Sequence, residues 1–282
     1  MSKKESTAVA EVEQKSTALA VGGMDFAADA GAGMEGAGQE SFAIPFLSVL
    51  QKGSPQVDEA SGAAIDGAKA GMLFENVTGR MFSGKDGVVI VPCSYKREFL
   101  RWGARDNGGG FKGAYTPEDV ADMRSKGQIV ELEGRLYAPE ADGSVSDKKS
   151  DRFNDTRNHY VLILDQETGA WAEALLSLSS TQIKKSKALM SALASVKLKN
   201  GAGQMYTPPT FANMVRVTTV GESNDKGTWF GVKFELAGQV DRAEIYAAAK
   251  AFHANIAKGG VQVRYEEAPE ESGATASTAS GF

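Results

Sequence analysis

GVVIVPCSYKREFLRWGARDNGGGFKG, residues Gly87–Gly113, is the stretch on which the reading of this chain turns. It opens with Val88–Val91, apolar and β-branched, the composition of a strand interior. From Tyr95 it alternates basic and aromatic residues. It then passes through a Gly108–Gly110 loop to Phe111 and Lys112. In an extended chain, successive side chains point to opposite faces. Tyr95, Arg97, Phe99 and Arg101 therefore share one face, and Lys96, Glu98, Leu100 and Trp102 the other. A face with two arginines is not expected to be buried, and two large aromatics on a solvated face need a reason. Two arrangements fit. Cations and rings together form a platform for single-stranded nucleic acid, the cations on phosphates and the ring faces on unpaired bases. Alternatively, Tyr95 and Phe99 cap the edge of the core while the arginine stems lie across it.

The same texture recurs outward from this strand. Trp102, Arg105, Phe111, Lys112 and Tyr115 continue it around the glycine loop, which is flexible enough to close on a ligand. Arg152, Phe153, Arg157 and Tyr160 repeat it. Lys184, Lys185 and Lys187 fall near a helix start, where their charge opposes the helix dipole. A solvated helix face is the commoner cause of such a cluster, and a phosphate-facing one is the functional alternative.

The flanking sequence organises as follows. Residues 1–40 are rich in Ala, Gly, Ser and Glu, with few large apolar residues, and are expected to be disordered. The folded part spans residues 41–263 as one domain. Pro45 followed by apolar residues at helical spacing, with Gly53 and Pro55 beyond, predicts a short helix. Gly71–Trp102 reads as three strands broken at Gly79 and at Ser83–Gly87. Thr116 and Pro117 start a helix that should stop near Gly127. Gly134–Asp155 reads as a long polar hairpin or loop. His159–Leu164 and Ala170–Leu178 form a hairpin, as do Phe211–Val220 and Thr228–Leu236. Ser179 with Gln182, and Asp241 with Glu244, are capping boxes for two more helices, reaching about Val196 and ending at Gly259. About seven strands joined mainly by hairpins, with about four helices, predict a mainly β, α+β domain built on a closed or strongly curved antiparallel sheet.

Several motif readings fail on context. Gly31, Gly33 and Gly36 have dinucleotide-fingerprint spacing, but no strand precedes them. Gly79–Lys85 has P-loop spacing, but Asp86 stands where Ser or Thr should ligate magnesium, and the segment joins two strands. Cys93, His159 and His253 offer no metal-ligand spacing, and a lone cysteine after Val91–Pro92 reads as core. No catalytic constellation emerges, so a binding protein without cofactor or metal is expected, and not an enzyme.

Composition sets the remaining bounds. The chain has 282 residues, 42% hydrophobic and 24% charged, enough to bury a proper core. A single cysteine excludes an internal disulfide framework and fits a reducing cytoplasm. Neither a secretory leader nor a membrane span is expected. Net charge is −5, but Glu266, Glu267, Glu270 and Glu271 concentrate acid in residues 264–282. A basic groove elsewhere therefore remains compatible with the sum. Those glutamates, a neutral flexible stretch and the terminal Phe282 form an acidic tail that could compete for such a groove or dock in a partner pocket.

Three segments, IPFLSVLQKGSPQVD, GMLFENVTGRMF and VVIVPCSYKREFLRWGARDNGGGFKG, resemble a group of tailed-bacteriophage proteins regarded as single-stranded DNA-binding proteins of the replication and recombination region. The resemblance is best from Phe42 to Gly113. With the wider class, including the T7-type proteins, it implies an OB-fold core and an acidic C-terminal tail that contacts replication partners. This tail has only four acids before its neutral stretch, a departure from the class. The expectation is a protein of the infected host's cytoplasm that coats single-stranded DNA, contacting it through the basic and aromatic residues named above. Self-association is left open. The rival expectations are a virion structural or assembly protein and a strand-annealing accessory of recombination.

Overall fold

The structure, a computed structural model, describes residues 28–37, 42–104, 106, 108–225, 227–261 and 263–265. The chain divides into two units, Met1–Gly38 and Gln39–Phe282. The described part of the first is a succession of turns, with Asp29, Gly31 and Met34 carbonyls accepting from Ala32, Met34 and Ala37. Gly31 and Gly33 take positive φ there. The glycine spacing thus serves turns, and the rest of the expected disordered segment lies outside the described residues.

The described residues of the second unit contain thirteen strands and three α-helices. Strand outweighs helix, 37% to 20%, so the class is α+β with a β majority, as the turn spacing predicted. β1 (Leu47–Val49), β2 (Leu73–Glu75) and β3 (Met81–Phe82) form a small antiparallel sheet. The main sheet has eight strands: β4 (Val88–Trp102), β5 (Phe111–Tyr115), β6 (Val130–Leu132), β7 (Arg135–Tyr137), β8 (Arg152–Leu164), β9 (Trp171–Ser179), β12 (Asn213–Asn224) and β13 (Gly227–Gln239). Its central path runs β13-β12-β4-β8-β7-β6, with β5 on β4 and β9 on β8. The outer strands β13 and β6 do not pair with each other among the described residues. The expected barrel closure is therefore corrected: the sheet stays open. The short hairpin β10 (Leu198–Lys199) with β11 (Met205–Tyr206) stands apart from it.

Helix α3 (Ala243–Ala257) covers one face of the main sheet. Ile245, Ala249, Phe252 and Ile256 recur at i, i+4, i+7 and i+11 and are its buried residues. They join Val89, Val91, Cys93, Leu100, Tyr160 and Leu162 of the central strands. Helix α2 (Ile183–Ser195) covers the opposite face, where its Leu189 and Leu193 meet Val88, Ile90, Val161, Ile163, Val215, Val217 and Val232. Each large side chain so buried stabilises the fold by about 1.5–3 kcal/mol. Further along that second face, Val120 of α1 (Pro117–Ser125) and Ile129 close over Phe99 and Phe153.

The Thr116 capping box forms as read, with Thr116 and Asp119 bonded reciprocally and Pro117 at the first helical position. Three local expectations are corrected. The segment after Pro45 is strand β1 and not a helix, because Phe46 bridges Leu175 and Leu47–Val49 pairs with β2. A run of five apolar-rich residues cannot separate the two periods. Ser179 makes no cap bond, and a 3-10 turn at Ser180–Gln182 leads into α2 instead. Gln182 is diverted to accept from the Val232 N–H of β13. Asp241 does not cap α3 either; Arg242 holds that position and donates to Glu244 at 2.7 Å. The polar stretch after Gly134 resolves into β7, a loop and the first half of β8, with β6 preceding it.

Candidate nucleic-acid interface

A bulge decides which way the basic and aromatic residues of β4 face. Val89, Val91 and Cys93 lie on the α3 side, with Leu100. Odd and even positions can share a side only if the pleat slips once between them. The register on β8 shifts between Pro92 and Ser94, one extra residue that reverses the alternation. Tyr95, Arg97, Phe99 and Arg101 are thereby turned to the α2 side, opposite His159, Arg157, Asp155 and Phe153 of β8.

The middle of that face lies between the cover of α2 and that of α1. Arg97 grips Asp155 through two bonds, Nε at 3.1 Å and a terminal nitrogen at 2.8 Å. Arg157 donates to the same carboxylate at 3.0 Å. Arg97 is exposed, whereas Arg157 is buried and its Nε has no hydrogen-bond partner among the described residues. Tyr95 is 37% exposed, and its ring packs on the His159 imidazole at 5.2 Å. His159 Nε2 lies 2.7 Å from Ser186 Oγ in the first turn of α2. Burial disfavours the imidazolium and lowers the His159 pKa to about 4, so Tyr95 rests on a neutral ring.

A second cluster sits six residues along the same face, about 20 Å from Tyr95 at strand rise. The nearly buried carboxylate of Asp151 accepts from Arg101 Nε and from Lys112 Nζ, each at 2.8 Å. Burial works against the Asp151 charge, but the bonds from Lys112 and Arg101 outweigh it and hold the carboxyl below its ordinary range. A shallow pocket of about 210 Å³ opens here between Arg101, Lys112, Lys149, Asp151 and the Ala138–Ala141 loop. Each cluster thus sets two cations on one carboxylate.

The rings between these clusters are not free. Phe99 and Phe153 are buried under α1. Arg97 lies over Phe99 at 5.1 Å and Arg101 over Phe153 at 5.6 Å. The alternation therefore builds cation–π stacks within the chain. Tyr160 faces α3 and is buried. Trp102 and Phe111 are half-buried against that core, edge to face at 5.8 Å, with Phe111 on Tyr265 at 4.9 Å. Arg152 is half-buried opposite Trp102. Lys184 is exposed on α2, while Lys185 pairs with Glu222 at 2.7 Å. Of the predicted surface, Tyr95, Arg97, Lys112 and Lys184 are exposed, and Arg101, Trp102, Phe111, Arg152 and Lys185 are half-buried. Arg105, Glu266, Glu267, Glu270, Glu271 and Phe282 lie outside the described residues.

Composition pointed to the cations but not to their partners, Asp151 and Asp155. The signal available was the Asp155-x-Arg157 alternation, which puts acid and base on one face of a strand. Exposed Met205 and Tyr206 on the β10–β11 hairpin, beside Lys197 and Lys199, were also missed. The other candidates resolve as structure. Cys93 is buried, donates to the Val91 carbonyl, and burial pushes its thiol up to about 12. At Gly84 in the Gly79–Lys85 segment, a Cβ would meet the Gly71 carbonyl, so the glycine is required by packing. No metal-binding group of His, Cys, Asp and Glu occurs among the described residues. None of the described helices is long and apolar enough to cross a membrane.

Comparison with known proteins places the chain in a family. A model of the Pam3 phage gp34-like protein family matches residues 14–262, and the chain belongs to that family of bacteriophage proteins. No curated protein matches, and no solved structure matches.

Proposed function

We propose that this phage protein binds single-stranded DNA along the α2 side of β4 and β8, without chemistry of its own. One observation carries the reading: exposed Tyr95 and Arg97 lie together on the α2 side of β4, and the Arg101–Lys112–Asp151 cluster lies further along that side. Phosphates exchange with Asp155 and Asp151 for the guanidinium and ammonium groups, and a base stacks on Tyr95. A stacked base contributes about 1–3 kcal/mol, and release of counterions makes binding strongly salt-dependent. The footprint is narrower than the alternation implied, because Phe99, Phe153 and Tyr160 are committed to the core.

The test is a fluorescence-anisotropy titration of labelled oligo-dT across a salt series. Binding at low salt is expected. Replacing Arg97 and Arg101 by alanine should weaken it and flatten the slope of log K against log salt by about 0.7 for each phosphate no longer neutralised. Absence of binding at low salt overturns the proposal. A virion structural or assembly role is the second reading, favoured by the outer side of β13, which pairs with no strand among the described residues. Mass spectrometry of purified particles separates it, since only that role predicts a stoichiometric virion component.

A further inference from the structure

Among the described residues, strand β13 pairs with β12 on one side and with no strand on the other. The hydrogen-bond pattern of the other side is set by alternation. Phe230 directs its N–H and C=O outward, where Gln51 caps both at 2.9 Å. Val232 directs its N–H outward to Gln182 at 3.0 Å. Two glutamine side chains therefore close the first half of this edge. By the same alternation Phe234 and Leu236 also point their backbone groups outward, and among the described residues nothing bonds them. An open edge of this kind is a template for another strand. Beside it runs a groove of about 330 Å³, lined by Lys185, Ala188, Leu189 and Ala192 of α2 and by Lys233, Phe234 and Leu236 of β13. Leu236 is 45% exposed.

We propose that this edge is a homodimer interface, in which β13 pairs antiparallel with β13 of a second copy about a two-fold axis through Phe234. This is independent of the nucleic-acid reading. The charge pattern selects both the occupant and the register. Lys233 and Glu235 flank Phe234 and are exposed on the opposite side of the strand, bonded to each other at 2.6 Å. In an antiparallel pair centred on residue 234, Lys233 faces the partner subunit's Glu235 and Glu235 faces the partner subunit's Lys233. A shift of one residue, to a centre at 235, would set Glu235 against itself and is disfavoured by like charge. The chosen register pairs Phe234 with its own counterpart through two backbone bonds. It also sets Leu236 of each copy opposite the partner's Val232, where the partner's Leu236 carbonyl takes the place of Gln182 on the Val232 N–H. Leu236 of each copy then lies across from Val232 of the other, at the mouth of the groove, and its exposed apolar surface is covered.

Sedimentation velocity of the full chain over a hundredfold concentration range tests this without nucleic acid. A monomer–dimer equilibrium is expected. Lys233→Glu puts glutamates opposite each other twice and should raise the dimer dissociation constant about tenfold, from cross-strand charge pairs of ordinary strength. The double variant Lys233→Glu/Glu235→Lys restores the complement and should restore the dimer. Leu236→Pro removes an outward N–H that the monomer does not use, a change edge strands tolerate, and should leave a folded monomer. A wild-type monomer throughout overturns the proposal. So does a dimer that neither Lys233→Glu nor Leu236→Pro weakens.

Discussion

His159 provides a stability test whose sign follows from its surroundings. The ring is 1% exposed, bonded to Ser186, and burial lowers its pKa from 6.5 to about 4. Above pH 6.5 neither the folded nor the unfolded chain protonates this group, and its contribution is intact. As the pH falls below 6.5 the unfolded chain takes a proton that the folded chain refuses, so stability is lost. The loss proceeds through the window down to about pH 4 and then levels, because both states are protonated. The interval is worth roughly 3 kcal/mol at 1.36 kcal/mol per unit. Urea denaturation of wild type and His159→Gln at pH 7.5, 6.5, 5.5 and 4.5 reads it directly. Carboxylates held below their ordinary range, such as Asp151 and Asp147, lose their contribution as the pH falls from the ordinary carboxylate value to the depressed one, and they do so in both proteins. The wild-type curve should therefore drop more steeply between pH 6.5 and 4.5, and the difference between the proteins should approach that figure. Parallel curves would refute the claim that His159 is held neutral.

Two further substitutions separate surface from core along the same strand. Tyr95→Ala should lower oligo-dT affinity about 5- to 150-fold, the equivalent of one stacked base, with little change in melting temperature. Phe99→Ala, four residues on and buried, should instead destabilise by about 3–5 kcal/mol in urea denaturation. Asp151→Asn should cost about 1–3 kcal/mol of stability while tightening oligo-dT binding at low salt and steepening its salt dependence, since Arg101 and Lys112 are released. Weaker binding by that variant would remove this cluster from the phosphate path.

Much of the fold was legible because turns and caps act locally. Thr116-Pro117 starts α1, and the β8–β9 and β12–β13 hairpins turn where their polar residues predicted. What escaped depended on partners distant in sequence. β1 is a strand because of Leu175 and β2. Gln182 abandons its cap for an amide fifty residues away. The sheet is open because β13 and β6, at the two ends of its path, do not pair with each other among the described residues, which no local pattern encodes. At the site, alternation grouped Tyr95, Arg97, Phe99 and Arg101 correctly. Which of them are covered depends on α1, and which carboxylates neutralise the arginines depends on the β4–β8 register.

The two alternatives for the basic and aromatic strand therefore divide along its length. From Phe99 onward it caps a core edge, with arginine planes lying over buried rings. At Tyr95 and Arg97 it is a surface, left open between α2 and α1. Under the proposed function a face this short would hold few bases, and coating a long strand would require many copies. The proposed edge pairing joins two such faces and no more, since a two-fold interface closes on itself. Residues directly opposite in an antiparallel pair project to the same side of the sheet, so pairing Phe234 with Phe234 keeps both α2 sides facing one way. In such a dimer each copy offers its own short face with one exposed Tyr95, and the axis sets the two faces in opposite directions.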